Sequence, residues 1–102
     1  MALKLKKWDV TEHMDNAEFI SEYLKAAFES GNIPEITRAL SDVARARNMT
    51  DLAAKMGITR QGLYKTLSEN GNPEFATIHK LITALGLQMS IITPANAVGK
   101  GA

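Results

Sequence analysis

The stretch MTDLAAKMGITRQGLYKTLS, Met49 to Ser68, constrains this chain more than any other. Leu52, Ala53 and Met56 recur at helical spacing, and Gly57 follows at once. Glycine accepts a left-handed backbone without steric cost, so it stops a helix there. Ile58 is an apolar plug at the turn, and Thr59 is placed to cap a second helix, its hydroxyl accepting an exposed backbone N–H. Ala53 stands where two helices would come closest, which requires a small side chain. Leu63 turns inward from the second helix and leaves Thr59, Arg60, Gln61, Tyr64 and Lys65 facing outward. Any helical corner would accept this small–glycine–apolar spacing. The outward face favours something narrower, because adjacent Arg and Gln at the start of a helix suit bidentate contacts to guanine and adenine edges. The expected layout is a helix-turn-helix whose second helix enters the major groove of DNA.

Composition narrows the alternatives. The chain has 102 residues, 45% hydrophobic and 23% charged, which suits one small domain with a modest core. It has no cysteine, so no disulfide framework and no Cys-based zinc site. His13 and His79 lie far apart, and no metal or cofactor is expected. No run reaches the roughly 20 apolar residues of a membrane span. MALKLKKWDV lacks the apolar region of a secretory signal, so a cytoplasmic protein is expected. No carboxylate pair, His-bearing nucleophile site or Gly-rich phosphate loop stands out, so an enzyme is not expected. Net charge is only +1, but it is unevenly spread. Between Arg45 and Ser68 five cations (Arg45, Arg47, Lys55, Arg60, Lys65) face Asp51 alone, a balance of +4. Residues 1–34 carry four lysines against six acids, a balance of −2. Positive charge therefore gathers where phosphate contacts would need it.

Three regions are expected: an N-terminal arm and helix over 1–34, a helix-turn-helix core over 35–86, and a C-terminal strand and tail over 87–102. LKLKKWDV alternates weakly and reads as a short strand or an arm, with Trp8 packing on the domain or on a partner. Asp15 to Glu18 resembles a capping box with Asp15 as the cap. Phe19, Ile20, Tyr23, Leu24, Ala27 and Phe28 then form a helical apolar stripe, which serves as core or as a docking surface. Ser30-Gly31-Asn32 ends that helix, and Pro34 takes the first position of the next. Ile36, Leu40, Val43 and Ala44 form its inner face. Arg45 and Arg47 close its last turn, as dipole partners or as phosphate contacts. Glu69 to Pro73 is a polar loop beside the second helix of the pair, either a connector or a further phosphate contact. Phe75, Ile78, Leu81, Ile82 and Leu85 define a last helix stopped by Gly86, with His79 and Lys80 outward. Leu87 to Thr93 alternates and is expected to be a strand, paired with the N-terminal segment or with its twin in a second chain.

Arg45-Ala-Arg47-Asn-Met-Thr50-Asp-Leu-Ala-Ala, Gly57-Ile-Thr-Arg-Gln-Gly-Leu-Tyr-Lys, Glu69-Asn-Gly-Asn-Pro-Glu-Phe-Ala-Thr77 and Leu85-Gly-Leu together resemble an antitoxin family. It is the addiction-module antidote family, the HigA-like antitoxins with a Cro/phage-repressor type helix-turn-helix. Trp8-Asp9 and Phe19-Ile20-Ser-Glu-Tyr23-Leu24 are similar to its leading segment. The resemblance covers roughly residues 8–93. It implies a mainly α, lambda-repressor-like bundle of about five helices with a short C-terminal β-strand. It also implies a homodimeric repressor that binds operator DNA, neutralises a RelE/ParE-superfamily toxin and autoregulates its operon. The alternative is a stand-alone phage-type regulator without a toxin. DNA contacts are expected from Thr50, Thr59, Arg60, Gln61, Tyr64, Lys65, Asn70 and Asn72. One departure stands out: Thr66, not an apolar residue, lies three after Leu63, and Leu67 follows. The helix is expected to be rotated or extended by one residue relative to phage repressors.

Overall fold

Three asparagines set the helical frame. In the computed structural model, which describes residues 16–68 and 72–94, Asn16, Asn32 and Asn48 each stand just before a helix. Their side-chain oxygens accept the backbone N–H three residues on, from Phe19 at 3.0 Å, Glu35 at 2.9 Å and Asp51 at 3.0 Å. Each such cap is worth about 1 kcal/mol, because the first N–H groups of a helix have no partner inside it. They open α1 (Ala17–Glu29), α2 (Ile33–Arg47) and α3 (Met49–Met56). The cap of α1 is therefore Asn16 and not Asp15, since the helix begins one residue later than the capping-box pattern implies. Pro34 falls at the second position of α2; an N–H is spare there too, so the proline still costs nothing.

Gly57 ends α3 at φ 75°, in the left-handed region. Its own N–H reaches Ala54 and the Ile58 N–H reaches the Ala53 carbonyl at 3.0 Å, which closes the open end of the helix. Three residues on, α4 (Arg60–Thr66) begins, with Thr59 Oγ1 accepting the Gly62 N–H at 2.9 Å. α5 (Phe75–Ala84) ends as α3 does: Gly86 is left-handed and the Leu87 N–H bonds the Ile82 carbonyl at 3.1 Å.

One hydrophobic core collects all five helices. Ile20 and Leu24 come from α1, Leu40, Val43 and Ala44 from α2, and Met49, Leu52, Ala53 and Met56 from α3. Leu63 and Leu67 come from α4 and its end, and Leu81, Ile82 and Leu85 from α5 and its end. Each fully buried leucine among these, such as Leu40, Leu63 or Leu81, contributes roughly 1.5–3 kcal/mol relative to an exposed one. The stripe on α1 is thus mainly core, with Phe19, Tyr23 and Ala27 partly buried against it and Phe28 at its edge. Phe75, expected on the inner face of α5, is instead 70% exposed and lies beside His79, with ring centroids 6.1 Å apart. It occupies the first position of its helix, one turn short of where α5 meets the core.

The expected C-terminal strand is not formed: among the described residues there are five helices and no strand. Leu87 and Met89 alternate inward onto the core as the pattern implies, but Ile91 and Ile92 are 98% and 68% exposed. Period-two side chains are only half of a strand, and without a neighbouring backbone there is no ladder. The alternating N-terminal segment lies outside the described residues.

Candidate nucleic-acid interface

The candidate face is built on α3 and α4. Ala53 is buried on α3, which packs against α4. Leu63, fully buried, anchors α4 from beneath. Thr66 is only half-buried, and Leu67, four residues after Leu63, takes the second inward place. Successive inward residues at i and i+4 leave the opposite side of α4 to Gln61 and Lys65, and Arg60 in its first turn is exposed as well. Thr59 is exposed at the cap and Thr50 in the first turn of α3. Asn72 is exposed, whereas Asn70 lies outside the described residues.

Tyr64 differs from an outward-facing reader. It is half-buried, with its ring packed against the core. The Arg60 guanidinium lies 5.1 Å from the ring centroid, and its Nη2 donates to the Tyr64 hydroxyl at 3.3 Å. The Arg45 guanidinium, from the last turn of α2, lies 5.6 Å from the same centroid. Each exposed cation–π contact is worth about 0.5–1 kcal/mol. Arg45 thereby joins the face of α4. The sequence marks it as a candidate phosphate contact but gives no sign that it meets Tyr64, nineteen residues on, because the crossing of α2 and α4 is tertiary.

The charge of the region is less compensated than a mixed surface would be. Lys55 pairs with Asp51 at 3.2 Å along α3, an exposed pair of little energetic consequence. Among the described residues no carboxylate lies within ion-pair distance of Arg45, Arg60 or Lys65. Asp42, the acid closest in sequence to Arg45, accepts the Tyr23 hydroxyl at 3.1 Å. Burial first, then the negative charge and hydrogen bond of Asp42, push the Tyr23 phenol up to about 12. An exposed, uncompensated cationic face next to a glutamine can hold an anionic polymer and contact base edges.

Comparison with known proteins decides the family. The model of a family described as probable addiction module antidote proteins matches residues 4–93. This chain belongs to that family. The antidote family match takes in the capped helices, the α3–α4 pair and the extended segment after α5. An uncharacterized protein of Haemophilus influenzae (strain Rd) is 48% identical over 91 residues, covering 89% of this chain and 94% of the relative. No solved structure matches the chain. An antidote is a regulatory protein with a toxin as its partner, and no helix among the described residues is long and apolar enough to cross a membrane.

Proposed function

We propose that this antidote is also a sequence-specific DNA-binding repressor, acting through α4 on the operator of its own operon. The observation that carries this reading is the outward face of α4. Arg60, Gln61 and Lys65 stand exposed on a short helix that Leu63 and Leu67 fix from below, with Thr59 capping it and Arg45 alongside. In this reading α4 lies in the major groove, Arg60 and Gln61 meet base edges, and Thr50, Lys65 and the loop at Asn70 and Asn72 position the backbone. A homodimer would set two copies of α4 about one DNA turn apart. The toxin it neutralises is, in the same proposal, a RelE/ParE-superfamily protein, which the antidote family supports as to class of partner only.

Replacing Arg60 or Gln61 with Ala is expected to cost roughly 1–3 kcal/mol of discrimination at individual base pairs of the operator. Affinities measured on a set of single-base operator variants test this. Equal weakening on every duplex would remove base reading from both residues. For the toxin, co-purification with the product of the adjacent gene is expected, and its absence would argue for a regulator acting alone.

A further inference from the structure

Arg60 and Tyr64 are four residues apart on one helix and would meet on any helix. Arg45 has no such excuse: it arrives from α2 and still brings its guanidinium to the same ring. Two like charges on one aromatic post repel, and no carboxylate of the described residues stands between them. Both arginines are exposed, so solvent or a ligand reaches them. The ring itself is half-buried and held by the core, which restricts two otherwise mobile side chains before anything binds. A guanidinium presents paired N–H donors that match two oxygens of one phosphate.

We propose that the Arg45 guanidinium, held on the Tyr64 ring beside Arg60, clamps a phosphodiester of the DNA backbone, with Tyr64 a positioning residue rather than a base reader. This rests on the DNA-binding reading above. The clamp ties α2 to the duplex and fixes the register at which α4 presents Gln61. Arg45 and Tyr64 then contribute to affinity on all sequences alike, and specificity stays with the other side chains of α4.

The test is a salt series on two labelled duplexes, the DNA upstream of the gene and a scrambled control, with wild type, Arg45→Ala, Tyr64→Phe and Tyr64→Leu. Losing one phosphate contact flattens the slope of log affinity against log salt by about one unit. Between 50 and 200 mM salt, Arg45→Ala should therefore lose about 3.5-fold less affinity than wild type does, equally on both duplexes. Tyr64→Phe keeps the ring and should keep the wild-type slope, whereas Tyr64→Leu should match Arg45→Ala. A thermal melt checks that Tyr64→Leu still folds, and Arg45→Ala with Tyr64→Phe decides the matter if it does not. An unchanged slope in Arg45→Ala, or a loss confined to one base pair, overturns the clamp alone. Wild-type protein that ignores both duplexes overturns DNA binding itself, and the clamp with it.

Discussion

Gly62 lies in the first turn of α4, where a β-carbon would stand 3.0 Å from Thr59 Oγ1. The same oxygen accepts the Gly62 N–H at 2.9 Å. Gly62→Ala therefore sets two effects against each other. Alanine gains up to about 1 kcal/mol over glycine in helix propensity. Crowding the capping hydroxyl forfeits up to about 1 kcal/mol, the usual worth of a threonine cap. In the wild-type background the two nearly cancel. Thr59→Ala alone should cost about 1 kcal/mol, and on that background Gly62→Ala should recover most of it. The expected coupling is about 1 kcal/mol, read from a double-mutant cycle of urea unfolding curves. In thermal melts each kcal/mol corresponds to about 4–8 °C for a domain of this size. If Gly62→Ala stabilises equally with and without the Thr59 hydroxyl, the crowding argument is wrong.

Other substitutions probe the frame that carries α4. Gly57→Ala meets no atom within 4 Å, so its cost is the left-handed backbone alone, about 1–2 kcal/mol, and Gly57→Asn should cost less; equal losses in denaturation would contradict this. Asn48→Ala should cost about 1 kcal/mol of unfolding free energy by freeing the Asp51 N–H, and a neutral result would deny the cap its role. Tyr23 has its folded pKa raised above the ordinary value of 10.0 to about 12, so its contribution is complete below pH 10 and is lost as pH rises toward 12. Tyr23→Phe should therefore show a smaller fall in stability between pH 10 and 12 than wild type, and parallel pH profiles would refute the linkage.

The helices were legible because their signals are local. The apolar spacing of Leu52, Ala53 and Met56, the stop at Gly57 and the Thr59 cap depend only on residues within a turn or two, and the structure has all of them. Asn32 and Asn48 are legible in principle as caps, but Asn32 reads from the sequence as the end of the preceding helix, a role that Asn48 fills in the structure through its N–H to Ala44. The contact of Arg45 with Tyr64 was not legible, since it depends on how α2 crosses α4. The exposure of Phe75 was hidden for a similar reason: helical period gives a face, not how far along the helix the core extends. Leu87 to Thr93 has the side-chain alternation of a strand, but the ladder depends on a second backbone that alternation cannot supply.

The most direct test is the affinity of the full chain for the DNA upstream of its gene against scrambled DNA, measured across salt concentration. The account requires a specific complex that persists at salt where the scrambled one has dissolved, because base contacts add to the screened phosphate term. Equal affinity for both at every salt would leave an antidote whose cationic α4 face does not read sequence, and would contradict the proposed repressor.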